Sequence, residues 1–473
     1  MTTQQHKTGI SKIFHLLKQA IQGEELDFTH GSIRRAVLLL AIPMMLEMIM
    51  ESVFALVDLY FVGHLHNSSE AIQTVGLTES VLSIIYSFAV GLSMAATAVV
   101  ARRIGEKDPV AASKAGMQAI LISVALNLVI SIVGFIYAGR ILMLMGASAE
   151  TTAAGTPFIQ IMMGGSTIIV LLFLINGIFR GAGNAAIAMK SLWVANIANI
   201  ILCPILINGF GPIPAFGLTG AAIATTIGRS IGVCYQLYQL ISGKSLLKIK
   251  LAYFTPHFQQ IKALLKIAVP AIFQFVIGSC SWIFLAELVA TTGGDHGSAG
   301  YQTAIRLMLF FLLPAWGMSG AAATLVGQNL GAKDIKRAEE SVLKTAKYAM
   351  IYMGITMVIS LIFGHYLVSF FTADQQIQEI ASRALRTMCL GFMFYGIGMV
   401  MTSAFNGSGD TRTPTIINFF GFWIFQIPMA YLLAKTFNMG PEGVFIAIPV
   451  AETGIAIAGY ILFKKGNWKT KQI

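Results

Sequence analysis

Long apolar stretches separated by short polar connections make up most of the chain. A run of about 20 apolar residues is long enough to cross the hydrocarbon core of a bilayer as an α-helix. The pattern predicts twelve transmembrane helices in an all-α polytopic membrane protein. They lie near residues 36–62, 72–101, 115–138, 156–179, 190–209, 217–241, 264–290, 299–328, 341–364, 384–405, 414–435 and 442–463.

The second half of the chain repeats the first at a spacing of 226 residues. Residues 91–108 align with 317–334, with 8 of 18 positions identical, and residues 179–184 align with 405–410. Each half holds six predicted helices, so both copies have the same orientation in the bilayer. We expect two six-helix lobes related by internal pseudo-twofold symmetry along the membrane normal. In transporters of this kind the site lies where the repeats meet.

These patterns divide the chain into five segments. They are an amphipathic N-terminal segment (1–35), an N-lobe (36–242), a cytoplasmic linker (243–263), a C-lobe (264–463) and a cytoplasmic tail (464–473). Apolar side chains at helical spacing in residues 10–21 favour either a short helix in the membrane interface or an unstructured tail. Phe258 and Ile261 indicate that the end of the linker lies along the membrane before it turns into the seventh helix.

Composition supports a membrane protein, and the distribution of charge gives its orientation. Charged residues make up 11% of the chain, against about 25% in soluble domains. The net charge of +11 is concentrated in the N-terminus, the even-numbered connections and the C-terminus, whereas the odd-numbered connections hold only Arg140, Arg383 and Lys435. The positive-inside rule therefore predicts that both termini are cytoplasmic, in a plasma membrane. Because the charge reports topology, we expect no nucleic-acid partner.

The cysteines and histidines form no pattern that indicates a metal or a cofactor. Cys203, Cys234, Cys280 and Cys389 all fall within predicted helices and form no CxxC pair. We therefore expect neither disulfides nor a metal site.

Two short matches to protease motifs occur in the second half. Residues 407–410 match the GxGD pattern of intramembrane aspartyl proteases, and residues 317–320 match the GxSG pattern of rhomboid proteases. The repeat copy of the first match ends in Asn184, which cannot act as a catalytic acid. An enzyme is therefore the weakest interpretation, and we expect none.

Three carboxylates lie on one face of the first predicted helix. At about 100° per residue, Glu51 lies roughly 40° and Asp58 roughly 20° from Glu47, so the three form a stripe. Each would cost about 2.5–3.5 kcal/mol if it faced lipid at mid-membrane. We expect the stripe to face a cavity, where it exchanges protons or holds Na⁺ or a cationic substrate. Alternatively, one or two of the three only pair with polar side chains to lock helices together.

Amide side chains extend the candidate site within the first half. Asn196 and Asn199 share a face of the fifth predicted helix and offer carbonyl oxygens to a cation or hydrogen bonds to a carboxylic acid. Asn176 lies in the fourth helix. The alternative for all three is a structural hydrogen bond between helices.

The second half lacks the acidic stripe. Gln274 is a neutral counterpart of Glu47, because it follows Pro270 by four residues as Glu47 follows Pro43. Glu287 and Arg306 are opposite charges in adjacent predicted helices, so an internal ion pair is the simplest explanation and a substrate or gating role is the alternative. We therefore expect the coupling site in the first lobe.

Three sequence features resemble the multidrug and toxic compound extrusion (MATE) family, prokaryotic type. They are the helix ending at residues 56–63, the segment 327–334 and the paired Phe-x-Gly-x-Gly-Asn/Asp motifs. The resemblance covers essentially the whole chain. It implies a monomeric secondary antiporter that exports amphipathic, often cationic, organic compounds in exchange for inward H⁺ or Na⁺, by alternating access of its two lobes in the lipid membrane. It also places the first-helix acidic residue of the family on Asp58 and its fifth-helix asparagine on Asn199.

The chain departs from the family pattern at the second coupling carboxylate. Cys203, Gly278 and Tyr395 occupy the positions where one branch or another carries an acidic residue. Glu51 is our replacement candidate, and a sodium ion held by Asp58, Glu51 and Asn199 is an alternative to a proton. A lipid-linked saccharide flippase of the same superfamily is the rival function, although it would be expected to line its cavity with basic residues.

Overall fold

The computed structural model describes residues 9–23, 27–63, 68–243 and 245–473, and these residues are predominantly helical. Predicted positions 1–8 and 24–26 of the N-terminal segment lie outside the described residues. In chain order the α-helices are α1 (Gly9–Gln22), α2 (Ile33–Gly63), α3 (Ser68–Gly105), α4 (Pro109–Ile136), α5 (Ala138–Leu144), α6 (Ala149–Gly164), α7 (Ser166–Gly181), α8 (Ala185–Asn208), α9 (Leu218–Ile241), α10 (Phe258–Gly331), α11 (Ile335–Ser369), α12 (Gln375–Cys389), α13 (Phe392–Ser408), α14 (Arg412–Asn418), α15 (Ile427–Tyr431) and α16 (Pro441–Lys465). Two π-helical stretches, Phe419–Gln426 and Leu432–Thr436, continue α14 and α15.

The described helices account for the twelve predicted spans. Judged by length and hydropathy alone, nine of them can cross a membrane, or ten when α12 and α13, bent by 55°, count as one. α10 breaks at Gly294, whose φ of 61° and ψ of −159° lie outside the helical region and suit a residue without a Cβ. Counting the two arms of α10 separately and adding α9 gives twelve.

Helices occur both in the N-terminal segment and at the end of the predicted linker. α10 begins at Phe258 and remains helical through Leu264, so the end of the predicted linker is continuous with the seventh span. Leu264 and Ile267 are buried, and the orientation of this first part of α10 along the membrane stays a prediction. α1 is a helix, and it packs on α2, where Gln19 accepts a 2.8 Å hydrogen bond from Arg35.

The internal repeat is visible in the breaks within two spans. The fourth span is interrupted at Gly165 and the tenth at Gly391, two positions 226 residues apart. A Cβ on Gly391 would overlap Pro449, and one on Gly165 would crowd Thr226. The two halves therefore break their fourth span at repeat-related glycines, each packed closely against a neighbouring helix.

The two lobes touch through small residues that permit close contact between main chains. A methyl group on Gly91 would overlap the main chain of Ile272, and its repeat partner Gly317 meets Met44 in the same way. Further along, Gly105 lies against the main chain of Gln328. We call the end of the bundle that carries this last contact, together with residues 27–31 and 466–473, the terminal end.

Candidate functional site

A cleft between the lobes is closed at the terminal end. There the Thr324 hydroxyl donates to the main-chain oxygen of Arg180 (3.0 Å), and the Gln328 amide donates to that of Gly181 (3.1 Å). Above this floor lies a cavity of about 360 Å³. Its wall contains aromatic and methionine side chains from both halves, including Met44, Met48, Tyr86, Phe173, Phe275 and Trp316. The cavity therefore suits an amphipathic organic molecule.

The three carboxylates of α2 face the interior of the first lobe. Glu47 is fully buried, the Glu51 side chain is 20% exposed, and Asp58 is half-buried. Only Glu51 of the three lines the cavity. The stripe thus runs from the wall of the cleft into the lobe behind it.

Arg180 neutralises the innermost carboxylate of the stripe. It lies at the end of α7 and approaches Glu47 Oε1 to 3.3 Å, while Asn176 donates to the same oxygen at 3.0 Å. The other guanidinium nitrogen donates to the Ser93 hydroxyl (3.1 Å). Because Arg180 also lines the cavity, the floor of the cleft carries a balanced charge pair instead of a free carboxylate.

Arg229 neutralises the second carboxylate from the opposite side. Its guanidinium, only 2% exposed, forms a forked pair with Glu51 at 2.6 and 3.3 Å. The rings of Phe54 and Phe173 lie against it, with their centroids 4.9 and 5.8 Å away. Asn196 completes the cluster by donating to Glu51 Oε2 (3.1 Å). Such planar, bidentate geometry is what favours arginine over lysine at a buried carboxylate.

Asp58 differs from the other two carboxylates because no ion pair to it occurs among the described residues. Its nearest polar contact is the Cys203 thiol, 3.9 Å from Oδ1. At longer range Asp58 is repelled by Glu79 of α3 and attracted by Arg229. One carboxylate of the stripe is therefore left without a direct counter-ion among the described residues, within the electrostatic range of an arginine that is paired with Glu51.

The predicted asparagines serve different partners. Asn199 donates to the Thr225 hydroxyl (3.0 Å), so in this conformation it is engaged with α9. Asn176 accepts hydrogen bonds from Ser191 (2.7 Å) and Gln236 (2.6 Å) in addition to holding Glu47. The Asn199 carbonyl oxygen, the atom that would ligate a cation, has no hydrogen-bond partner among the described residues, so the sodium site of Asp58, Glu51 and Asn199 stays a prediction.

The predicted ion pair between Glu287 and Arg306 is wrong. Both side chains are exposed at the end of the cleft opposite the terminal end, and no ion pair between them occurs in the described structure. Because neither side chain is buried in the protein, neither requires an internal partner. Arg306 instead attracts Glu79, which projects from α3 of the other half.

The second half contains a buried carboxylate that our sequence analysis missed. Glu452 of α16 is 7% exposed, and no ion pair to it occurs among the described residues. The Tyr395 side chain of α13 lies beside it. Tyr395 occupies one of the positions where we noted a departure from the resembling family. A glutamate within the apolar run 442–463 was the available signal. Gln274 is also buried, and its Oε1 has no hydrogen-bond partner among the described residues.

Two six-helix lobes around an apolar cleft, with buried charges behind one wall, define a polytopic membrane transporter. The MatE family profile matches residues 43–205 and 270–432, once in each half and over more than half of the chain. The protein belongs to the MatE family; it is a transporter and not an enzyme.

The similarity of this chain to known relatives and to solved structures extends over nearly its full length. The chain is 24% identical to the probable multidrug resistance protein NorM of Thermotoga maritima over 97% of both chains. It is also 24% identical to the multidrug export protein MepA of Staphylococcus aureus, over 92% of this chain and 94% of that one. An outward-facing MATE family transporter of the MOP superfamily superposes with a TM-score of 0.89 at 26% identity, covering 95% of this chain and 99% of the other. A MATE protein in complex with MaL6 gives 0.88, also at 26%, over 96% and 100%.

Proposed function

We propose that this protein is a multidrug antiporter that exports amphipathic, cationic organic compounds in exchange for inward H⁺ or Na⁺. The observation that carries the proposal is that Asp58 has no ion pair among the described residues and interacts at longer range with Arg229, the arginine that holds the cavity-lining Glu51. The names of the relatives, which refer to multidrug resistance and export, support the substrate class.

Arg229 gives the coupling ion a way to act on the cavity. When Asp58 is ionised, Arg229 is attracted by both Asp58 and Glu51, so part of the Glu51 charge remains available to a cation in the cleft. When Asp58 binds a proton or Na⁺, Arg229 pairs with Glu51 alone. The cavity then loses its net attraction for a cation, and the substrate leaves. Differential affinity of the two ion states for substrate is what coupling requires.

We further propose an orientation and an assembly. The terminal end faces the cytoplasm of a cell with this protein in its plasma membrane, so the present conformation is open outward. The segments 36–242 and 264–463 form the two lobes of a monomer, joined by the linker 243–263.

Uptake of a fluorescent cationic dye into inverted vesicles tests the proposal. Vesicles that contain the protein are compared under imposed H⁺ gradients, imposed Na⁺ gradients and no gradient. Accumulation that follows one gradient establishes antiport and identifies the ion. Binding of the dye without accumulation under either gradient would contradict the proposal, as would transport of a lipid-linked saccharide but of no organic cation.

The buried Glu452 provides a second test in the other lobe. We expect Glu452→Gln to keep the fold, since glutamine has nearly the same shape, and to lower gradient-driven dye uptake roughly fivefold or more through loss of coupling free energy. The dissociation constant of the dye, measured without a gradient, serves as the companion readout. Unchanged uptake would assign Glu452 a purely structural role, as would an equal loss of uptake and of binding.

A further inference from the structure

A segment ahead of α2 joins the two halves at the terminal end. We call residues 27–31 the first strap. It is held to its own half by Asp27, whose Oδ2 lies 2.5 Å from Lys107 Nζ in the turn between α3 and α4. The buried ring of Phe28 covers Gly183, at the start of the α7 to α8 turn.

An arginine of the opposite half grips the same strap. Arg337, in the first turn of α11, donates to the main-chain oxygens of Phe28 (3.0 and 3.1 Å), His30 (2.9 Å) and Gly31 (2.8 Å). Hydrogen bonds from a charged donor are stronger than neutral ones. One side chain of the second half thus holds three carbonyl groups of the first strap.

The tail of the chain has the mirror arrangement. We call residues 471–473 the second strap. It is held to its own half by Lys471, 3.2 Å from Asp410, and by Ile473, whose side chain covers Gly409. From the opposite half, Arg102 donates to the main-chain oxygen of Lys471 (3.1 Å) and Arg103 to that of Ile473 (3.5 Å).

The two straps obey the internal repeat. Gly183, under the first strap, and Gly409, under the second, are 226 residues apart, so each strap covers the same turn of its own half. Each is then held by arginine from the other half. The straps themselves come from unrelated segments, one before the first span and one after the twelfth. Two different segments have thus produced the same bridge between the halves.

We propose that the two straps are paired latches that hold the terminal end closed and must release whenever the cleft opens at that end. The inference rests on the alternating-access part of the proposed function. Opening the terminal end separates Gly105 from Gln328 and carries Arg337 away from α2, so its bonds to the first strap break. The bonds from Arg102 and Arg103 to the second strap break in the same movement.

Protonation of Asp27 does not release the first strap in the working range. Partial burial alone would raise the pKa of Asp27, but hydrogen bonds from Lys107 and Thr29 lower it to about 2. Asp27 therefore stays ionised at any pH at which the protein transports. His30 of the same strap also faces this carboxylate, with its Nε2 4.0 Å from Asp27 Oδ2.

Distance measurements between spin labels test the proposal on the full chain in nanodiscs. Labels are placed at Val110→Cys and Lys336→Cys, exposed positions related by the repeat on α4 and α11, with Cys234 and Cys280 replaced by serine. We expect Arg337→Ala to raise the population with long distances about tenfold relative to the parent. Arg103→Ala should shift the population in the same direction. Arg337→Lys, which keeps the charge but not the fork, should give a smaller shift.

Arg383→Ala is the matched control. Arg383 pairs with Glu442 at 2.9 Å, but both residues belong to the second half and are exposed, so the substitution removes an arginine without cutting a bond between halves. Identical distance distributions for Arg337→Ala, Arg103→Ala and Arg383→Ala would overturn the proposal. The measurement reports a distance and does not depend on transport. If the substitutions shift the distance distribution in a protein that transports no dye, the latch proposal holds and only the antiport proposal is wrong.

Discussion

Replacing Asp58 by asparagine is expected to abolish gradient-driven dye accumulation and to weaken binding of the cationic dye. Asparagine preserves the size of the side chain but cannot bind a proton or supply a full negative charge to Na⁺. Arg229 then pairs permanently with Glu51, as in the ion-loaded state. A loss on the order of 100-fold corresponds to the upper part of the range of coupling free energies between two sites. The measurement is the initial rate of uptake into inverted vesicles, with and without the imposed gradient.

Glu287→Gln is the control for this experiment. Glu287 is also a carboxylate near the cleft, but it is exposed and no ion pair to it occurs in the described structure, so its removal should leave uptake near the wild-type rate. If Asp58→Asn retained gradient-driven uptake and Glu287→Gln lost it, coupling would lie in the second lobe. The role assigned to Arg229 would then be wrong.

Removing the Arg229 guanidinium is expected to destabilise the fold more than any other single substitution in the site. Arg229→Met leaves Glu51 without its counter-ion and the faces of Phe54 and Phe173 without their cation. Breaking a buried pair by removing one partner costs about 3–5 kcal/mol, because the remaining charge is uncompensated. Thermal unfolding in detergent measures the effect. Glu51→Gln in the same chain should recover much of the loss, since position 51 then carries no uncompensated charge.

The exposed pair of Arg383 and Glu442 gives the comparison for stability. Its side chains are 61% and 50% exposed, so water screens the interaction and Arg383→Met should cost less than about 1 kcal/mol. An Arg229→Met protein that unfolds at the wild-type temperature would show that Glu51 gains compensation elsewhere. A double variant no more stable than Arg229→Met would show that the arginine acts mainly through its packing on Phe54 and Phe173.

The architecture could be predicted because a bilayer imposes simple rules on a sequence. Span length, the parallel repeat and the inward face of Glu47, Glu51 and Asp58 all follow from the high cost of exposing polar groups to lipid. These rules act on each helix by itself, so no knowledge of neighbouring helices is needed.

The partners of the carboxylates could not be predicted in the same way. Arg180 falls one residue beyond the predicted fourth span, where a basic residue is ordinarily taken as a topology signal. Arg229 lies within the sixth, and its pairing with Glu51 depends on how α9 packs against α2. Glu452 could not be identified from the repeat, because the repeat points only to positions that match the candidate residues of the first half. Charge pairing between helices is a property of the packed bundle and not of any one segment.

The close contacts of Gly91 with Ile272 and of Gly317 with Met44 have a mechanical consequence. From Gly91 the helix α3 extends 14 residues to Gly105 and 12 residues to Glu79, which is about 21 Å and 18 Å at 1.5 Å per residue. Rotation about this pair of contacts works as a lever with nearly equal arms. An increase in the separation of the lobes at one membrane surface is then matched by a similar decrease at the other. The cleft therefore cannot be open at both ends at the same time.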